Sequence, residues 1–443
     1  MMVWPFRHKA DDTPTARKSA SYFFSVGLGK AGLTGAGYDK LSAEGYAQCV
    51  VAFACINRVA ASVASVDLQL YRRGKGGKLA KVEGHELLKL MENPNPAQSG
   101  REFMRTLSSY YQLSGNGYVF GNGMDPSRGK SKPPAELQLL SPGKVKVEAG
   151  TGLFPKQYEY RPNQNAVTVF PVDQITGRSA VLHLKSFNPL NPWYGMSPLE
   201  AAALGVDIHN GGQQWNKRLI ENGARPSGAL VVNGSDGKPA SLSDDQFLRL
   251  KQMMDEQFSG AGNAGRPMLL EGGLDWKEMS LNPKDMEFLE GKHSAARDIA
   301  LAFGVPPQLL GIPGDNTYAN YEEAKLAFWT ETVLAQLGWT LDAFNRWLTP
   351  LYGEDLFLWY DEEMIPALEP LRKQKAERIN AASYMTINEK RRAMGLDDVD
   401  SGDVIFVSST SIPLELAGQV DLPEPGSPAD KPDAGEPDED EAE

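Results

Sequence analysis

The stretch that decides the fold reads Phe303-Gly304-Val305-Pro306-Pro307-Gln308-Leu309-Leu310-Gly311-Ile312-Pro313-Gly314-Asp315-Asn316. Before it, Asn282-Pro283 places an N-cap ahead of a proline, which predicts a helix with apolar residues at helical spacing up to Phe303. Gly304 is suited to end that helix, and the two prolines that follow keep it from resuming. Residues 311–316 have neither a helical nor a strand period, so we expect a loop.

After the loop, Asn320 and Glu323 have the spacing of a capping box. They predict a second helix, which carries an apolar stripe to Leu348 and stops before Pro350. Two helices that hold a short loop at their junction are suited to present that loop to another molecule.

Length and composition are those of a globular protein. The 443 residues are enough for two or three domains or one elongated subunit, and 41% hydrophobic and 23% charged residues are ordinary values. No apolar run has the length of a membrane span. The two cysteines, Cys49 and Cys55, indicate a reducing compartment, and their spacing on a predicted helix favours two core side chains over a metal pair.

The acidic charge is concentrated at the C-terminus. Residues 421–443 hold ten acidic residues and one lysine, so they carry −9 of the net charge of −12 and leave −3 on the rest. This proline-rich tail has little to bury and is predicted to be disordered. The nearly neutral body lacks the basic surface typical of tight nucleic-acid binders.

The first half of the chain predicts an α+β region. A helix from Tyr46 to Ala64 leads into an alternating strand, and Ser99 with Glu102 caps a second helix. A series of short strands then extends from Tyr118 to Lys185. Such an order of segments is typical of α+β proteins.

The next segments predict a stalk with a head. Ser197-Pro198-Leu199-Glu200 starts a helix that can continue to Asn222. Residues 224–281 read as a small insert of strands and one helix capped by Ser243, and the helix from Pro283 returns. A strand at Leu356–Tyr360 rejoins the body, and residues 368–394 are predicted to be helical.

The sequence disfavours three other classes of protein, of which the first two are a dinucleotide-binding protein and a helix-turn-helix DNA-binding protein. Gly27-Leu28-Gly29-Lys30-Ala31-Gly32 matches a dinucleotide-binding fingerprint, but the glycine-rich sequence after it is a poor start for the required helix. Residues 300–305 resemble the turn of a helix-turn-helix, yet Gly311 and Pro313 cut the recognition helix short, and no basic residue lies between Val305 and Asn320.

An enzyme is also disfavoured, because the histidines are scattered and no metal-binding motif is present. His183 on a strand and His209 on a long helix are better explained by packing. Asp361-Glu362-Glu363 is better explained as a solvated turn than as a metal site. No catalytic residue, metal ligand or cofactor is therefore predicted.

Seven segments, in this order, resemble the portal (head–tail connector) proteins of long-tailed bacteriophages and related gene transfer agents. They cover roughly residues 45 to 410 and are Asn93-Pro94-Asn95-Pro96, Gly115-Asn116-Gly117-Tyr118, His183-Leu184-Lys185, Tyr194-Gly195-Met196-Ser197-Pro198-Leu199-Glu200, Asn222-Gly223-Ala224-Arg225-Pro226-Ser227-Gly228, Phe303 to Gly311, and Thr386-Ile387-Asn388-Glu389. The resemblance implies a ring, usually of twelve subunits, at one capsid vertex, with double-stranded DNA passing through its axis.

The fold class implied is α+β: a portal-like subunit with an α/β wing, a long helical stem, a small α/β clip insert, a helical crown and a disordered acidic tail. The resemblance assigns a wing (45–196 and 321–363), two stem helices (197–223 and 282–304), a clip (224–281), a tunnel-loop region (305–320) and a crown (364–415). A flexible arm (1–44) and the acidic tail (416–443) lie outside it.

The resemblance also implies where the partners bind. Ile312, Asp315, Asn316, Thr317 and Tyr318 are the candidate tunnel-loop contacts with DNA. The candidate clip residues for partner binding are Asn233, Asp236, Lys238, Glu271 and Trp276. A loop without Lys or Arg, on a nearly neutral body, suits a conduit through which DNA slides without being gripped.

Implied partners are further copies of the chain, non-specifically passing DNA, terminase, the head–tail adaptor, and the major capsid and scaffolding proteins, with no membrane. The expected location is the portal vertex of the virion, and the host cytoplasm during assembly. The main alternative is another ring-forming minor capsid or collar component.

Overall fold

The structure is a computed structural model that describes residues 37–74, 79–124, 132–221, 228–232, 243–258, 274–278, 288–313 and 318–405. The chain divides into two compact units, Met1–Leu368 and Glu369–Glu443. The helices of the first unit are α1 (Tyr38–Lys40), α2 (Val50–Ser65), α3 (Glu86–Glu92), α4 (Gly100–Ser114), α5 (Pro198–Ala201), α6 (Ala203–Glu221), α7 (Asp244–Phe258), α8 (Phe288–Ala302), α9 (Tyr318–Ala327) and α10 (Leu334–Trp347).

The strands of this unit form four small antiparallel sheets, with the orders β11-β1-β2, β4-β3-β8, β5-β6-β7 and β10-β9. They are β1 (Leu68–Arg73), β2 (Leu79–Val82), β3 (Asn116–Asn122), β4 (Glu136–Leu140), β5 (Val145–Glu148), β6 (Gln157–Asn163), β7 (Ala166–Pro171), β8 (Val181–Lys185), β9 (Gly228–Val232), β10 (Leu274–Glu278) and β11 (Leu356–Tyr360). The mixture of helices and small sheets agrees with the predicted α+β class.

The main hydrophobic core lies between α2, α4, α8 and α10. It includes fully buried Ile56, Phe103, Ile299 and Phe344, and both Cys49 and Cys55 belong to it, as predicted. A second, smaller core lies between the sheets β4-β3-β8 and β5-β6-β7, around Tyr118 and Tyr158. The first unit is thus built around two separate apolar clusters.

The capping box and the returning strand predicted for this unit are confirmed. Ser99 and Glu102 form a reciprocal capping box at the start of α4, and Gly115 ends that helix with φ of +71°. β11 pairs with β1, from Leu68 opposite Tyr360 to Arg72 opposite Leu356, so the strand predicted at Leu356–Tyr360 does rejoin the body.

The predicted stalk helix is interrupted. Ser197 caps α5 by accepting a hydrogen bond from the Leu199 N–H at 2.9 Å, but the helix breaks at Ala202, where φ is −85° and ψ is 4°. The Ala202 N–H is shared between the carbonyls of Pro198 and Glu200, a tight terminal turn after which α6 begins. α6 then packs against α8.

The insert has the predicted arrangement of elements where it is described. β9 pairs with β10, and Ser243 forms a capping box with Gln246 at the start of α7. The strand predicted at residues 268–270 lies outside the described residues. Among the described residues, no single helix is long and apolar enough for a membrane span, while the bent pair Tyr38–Tyr46 and Val50–Ser65 passes only when the two are taken together.

Two helix starts differ from prediction. The first core helix begins at Val50, because Leu41–Tyr46 forms a separate π-helical turn and Cys49 has an extended backbone. The helix predicted to begin at Asn320 begins at Tyr318 instead, so Asn320 lies in its first turn and does not cap it. No helix-breaking residue precedes Asn320 within α9, and the earlier start is therefore allowed.

The second unit contains α11 (Glu369–Ala381) and α12 (Ile387–Ala393). Thr386 and Glu389 form the predicted capping box, with hydrogen bonds of 3.1 and 2.9 Å. Asn388 is buried. Its side-chain NH₂ donates to the Val399 carbonyl and the Asp403 carboxylate, and its side-chain oxygen accepts from the Val399 N–H, so it fixes the segment that follows α12. Gly395 follows α12 with φ of +77°, as expected of a residue that ends a helix.

Candidate functional site

The candidate site is built on the junction between α8 and α9. Gly304 ends α8 with φ of +63°, and the Val305 N–H bonds back to the Ala300 carbonyl at 2.9 Å. The chain then forms a short 3₁₀ turn, Pro307–Leu310, which ends at Gly311 with φ of +70°. Glycine is suited to both positions because side chains disfavour positive φ.

The start of the loop is anchored in the main core. Val305, Leu309 and Ile312 are buried members of it, and Ile312 is only 8% exposed. The Ile312 N–H also bonds to the Pro307 carbonyl at 3.3 Å. The Ile312 side chain is therefore held in the core of the subunit, because an apolar side chain gains more from burial than from exposure in a loop. The contact of Ile312 with DNA stays a prediction.

Two arginines hold the backbone of the same segment from different helices. The guanidinium of Arg58, on α2, donates to the Leu309 carbonyl. The guanidinium of Arg297, on α8, donates to the Pro313 carbonyl at 2.6 Å. Hydrogen bonds from a charged donor are stronger than neutral ones. The two bonds bracket Gly311 and Ile312, so the root of the loop is fixed on both sides.

A π-helical turn lies opposite Gly304. Phe328–Val333 joins α9 to α10 in the π conformation, and its Thr332 hydroxyl donates to the Gly304 carbonyl at 2.6 Å. Phe328 is buried and Trp329 packs against the core, in agreement with a packing role for both. π-turns inside long helices are frequent at functional sites.

Most of the predicted site residues lie outside what the structure describes. Of the loop set, Asp315, Asn316 and Thr317 fall outside the described residues, and Tyr318 is described only as the first residue of α9. Of the clip set, Asn233, Asp236, Lys238 and Glu271 also fall outside them. Trp276 lies on β10, opposite Leu230 of β9. These assignments stay predictions.

A buried polar network ties α4 to α10. Gln112 donates to Gln336 Oε1 at 2.6 Å, and Gln336 donates to Ser108 Oγ at 2.9 Å. The Ser197 hydroxyl donates to the Gln112 carbonyl at 3.0 Å, so the start of α5 belongs to the same network. Buried amides in such contacts specify one relative position of the elements that carry them.

A second polar cluster holds β3 against β8. Asn116 Oδ1 accepts from the Gly195 N–H at 2.8 Å, and its Nδ2 donates to the Ser114 carbonyl at 2.7 Å. His183 lies 3.0 Å from the same oxygen and stacks on Tyr118 with ring centroids 4.4 Å apart. Burial lowers the pKa of His183 to about 3, and the nearby Lys185 acts in the same direction.

The described residues contain no metal-binding cluster of three or more His, Cys, Asp or Glu. The His209 ring lies 3.8 Å from the Cys49 sulfur, and both residues are buried. Burial raises the pKa of the Cys49 thiol and lowers that of His209. The pair is thus a neutral packing contact between the start of α2 and α6, as predicted for His209.

Comparison with known proteins identifies the family. The sequence model of the family described as Phage portal protein matches residues 50–395. The chain belongs to the phage portal protein family. The resemblance inferred from the seven segments is thereby confirmed.

Two individual proteins are similar to this chain over most of its length. The portal protein of Enterobacteria phage HK97 is 22% identical over 392 residues, covering 86% of this chain and 87% of its own length. A protein of Rickettsia bellii (strain RML369-C) is 41% identical over 364 residues, covering 82% of this chain and 91% of its own.

Two solved structures have the same portal fold. A chain from the neck of an empty gene transfer agent particle, with C6 symmetry, is 40% identical at a TM-score of 0.62 and covers 82% of this chain and 94% of its own. An HK97-family phage portal protein from Corynebacterium diphtheriae has a TM-score of 0.50 at 14% identity, and the match covers 76% of this chain and 99% of its own. The second likeness concerns the fold alone.

Three residues at the root of the loop could not be predicted from the sequence. Arg58, Arg297 and Thr332 each contact a backbone carbonyl far away in the sequence, and no local motif indicates such a contact. The only available signal was the glycine that ends α8, since its carbonyl needs a partner once the helix has stopped.

Proposed function

We propose that this chain is the subunit of a portal ring at one vertex of a capsid, through which double-stranded DNA enters and leaves. The observation that carries the proposal is the 40% identity, over 82% of the chain, to a subunit in the neck of a gene transfer agent particle. A related match is to such a neck with C12 symmetry. Both symmetries are compatible with a ring of twelve copies.

The proposed role is mechanical and not catalytic. α6 and α8 form the stem, the insert bounded by β9 and β10 forms the clip, and the segment after Ile312 projects toward the DNA. The clip is the proposed docking site for terminase during packaging and for the head–tail adaptor afterwards. ATP hydrolysis is assigned to terminase, a separate protein.

The loop geometry supports a conduit. Arg58 and Arg297 donate to backbone carbonyls, so the cations at the loop root are occupied by protein contacts. Each phosphate that a protein neutralises adds salt-dependent affinity, which would slow the sliding of DNA. A firmly anchored root with a tip that lacks basic residues is suited to centre the duplex without holding it.

Native mass spectrometry of the purified full-length chain, with negative-stain imaging, tests the ring. We expect closed rings of about a dozen copies with a central hole. A stable dimer that shifts a short DNA duplex would overturn the proposal and favour the helix-turn-helix alternative. Closed rings that fail to enter particles alongside terminase would favour the collar alternative.

A deletion tests the loop. Because Ile312 is a core residue, the deletion should begin after it and remove residues 314–317. We expect rings of normal size but impaired DNA packaging or retention in particles, measured as DNA protected from nuclease. A matched control is a deletion of residues 126–129, between β3 and β4. If particles with either deletion variant protected equal amounts of DNA, the loop would not be the segment that contacts DNA.

A further inference from the structure

A cavity of about 690 Å³ opens beside β8. Its walls come from the sheets β4-β3-β8 and β5-β6-β7, from the end of α10 and from the loops before and after β8, and we call it the β8 cavity. The indole N–H of Trp347 donates to the Ser179 carbonyl at 2.9 Å and so holds α10 against this wall. Its volume is within the range of pockets that enclose small ligands or peptide side chains.

The interior is lined by aromatic rings and includes the imidazole of His183. Trp193 and Trp347 line the cavity, with His183 between the sheets. Backbone groups fix the Asn116 amide with its oxygen toward His183, so the imidazole must carry its proton on Nε2. The other nitrogen, Nδ1, then offers a lone pair, and within the described part of the chain it has no hydrogen-bond partner.

The rim is positively charged. Three cationic residues, Arg178, Lys185 and Arg346, line the cavity, against the single acidic residue Asp173. The Asp173 carboxylate is already used by its own turn, accepting from the Ile175 N–H and the Thr176 hydroxyl at 2.8 Å each. Across the described ranges, neither Arg178 nor Arg346 has a carboxylate within 4 Å, although Arg178 is close enough to Asp173 to interact with it electrostatically.

The surface around the mouth is apolar. Leu153 lines the cavity and is 92% exposed, and Ile175, in the turn that supplies Asp173 and Thr176, is 90% exposed. Side chains this large and this exposed, next to an aromatic cavity, are typical of protein-binding surfaces. A nucleic acid fits less well, because it would place a polyanion on these apolar side chains.

We propose that the β8 cavity binds a segment of another protein in which an aromatic side chain stands next to a carboxylate. The aromatic ring enters between Trp193 and Trp347, a donor of the segment bonds to His183 Nδ1, and the carboxylate faces Arg178 and Arg346. That the segment belongs to another protein of the particle rests on the proposed function. The binding chemistry itself does not.

Saturation-transfer NMR on the full-length chain tests the proposal with two probes at millimolar concentration, N-acetyl-aspartyl-tryptophan amide and N-acetyl-lysyl-tryptophan amide. We expect stronger transfer to the aspartyl probe. Arg346→Glu should weaken its binding about threefold, the effect of one exposed ion pair. Lys89→Glu, the same charge reversal on exposed α3, should leave it unchanged.

Equal transfer to both probes, no transfer to the aspartyl probe, or equal binding by the Arg346→Glu and Lys89→Glu variants would overturn the proposal. Displacement of the aspartyl probe by a short thymidine oligonucleotide would overturn it in favour of a nucleic-acid site. Trp193→Ala, checked for folding by circular dichroism, should abolish the transfer. These measurements do not depend on ring assembly. Failure of rings to form and failure of the cavity to bind the probe can therefore be distinguished.

Discussion

The Thr332 hydroxyl donates a hydrogen bond of 2.6 Å to the carbonyl oxygen of Gly304, 28 residues earlier in the chain. The donor lies in a π-turn, and the acceptor lies where α8 ends. A helix end leaves carbonyls without partners, and a π-turn shifts the direction of the side chains after it. The hydroxyl of the π-turn therefore supplies the hydrogen bond that the carbonyl at the end of α8 would otherwise lack. This contact fixes the direction in which the chain enters the loop.

We predict that Gly304→Ala destabilises the protein by about 1–3 kcal/mol, the usual cost of a side chain forced into an unfavourable backbone conformation. Its φ is +63°, and an added Cβ would lie 2.7 Å from the Thr332 hydroxyl oxygen. Urea unfolding of the purified chain measures the change.

Gly291→Ala is the matched control. Gly291 lies inside α8, and an added Cβ would meet nothing within 4 Å. We expect this variant to be more stable by about 0.5–1 kcal/mol, because alanine favours a helix over glycine. Equal effects of the two substitutions would contradict the conformation assigned to Gly304.

Ile312→Ala should lower the free energy of unfolding by about 2–5 kcal/mol, and Ile312→Val by about 0.5–1.5 kcal/mol, as in other buried sites. The physical reason is the loss of core contacts by a side chain that is 8% exposed. Chemical denaturation measures both values. If the side chain instead pointed into a channel, neither substitution would change stability.

Breaking the Gln112–Gln336 contact from one side should cost more stability than the loss of a single hydrogen bond. Gln336→Met leaves the buried Gln112 amide without its acceptor, which should cost about 1–3 kcal/mol. In the double variant Gln112→Met with Gln336→Met no amide is left unpaired, so we expect part of the loss to be recovered. A double-mutant cycle that gives purely additive losses would show that the contact contributes nothing specific.

The stability of the protein should depend on pH through His183. Its pKa is about 3 in the fold, against about 6.5 in an unfolded chain, so only the unfolded state takes up a proton between these values. Stability should therefore fall as pH drops below about 6.5, by about 1.4 kcal/mol per pH unit from this group.

The comparison is with His183→Gln, which keeps a donor for Asn116 but does not titrate. Denaturant midpoints measured at several pH values from neutral down to mildly acidic should converge for the two proteins as pH falls. Parallel pH profiles would mean that His183 titrates equally in the folded and unfolded states.

Local signals in the sequence were sufficient for most elements. The capping boxes at Ser99, Ser243 and Thr386 depend on residues three positions apart, so they can be recognised without knowledge of the fold. The antiparallel return of α8 beside α6 followed from the insert between them. The family could be recognised because seven such local segments occur in the right order.

Contacts between distant residues could not be predicted in this way. Ile312 was assigned to the loop because prolines and glycines surround it, yet tertiary packing draws its side chain into the core. The break at Ala202 and the early start of α9 also depend on packing, since alanine and tyrosine carry no local signal for either. The β8 cavity is assembled from five separate segments and has no sequence motif at all.

The pairing of β9 with β10 has a consequence for how such a chain can evolve. Gly228 lies opposite Glu278, and Val232 lies opposite Leu274, so the insert leaves and re-enters the chain at one place. A segment with adjacent ends can be lengthened, shortened or exchanged for another without moving the helices that carry it. The insert could thus be replaced in one lineage while the remainder of the chain is inherited unaltered.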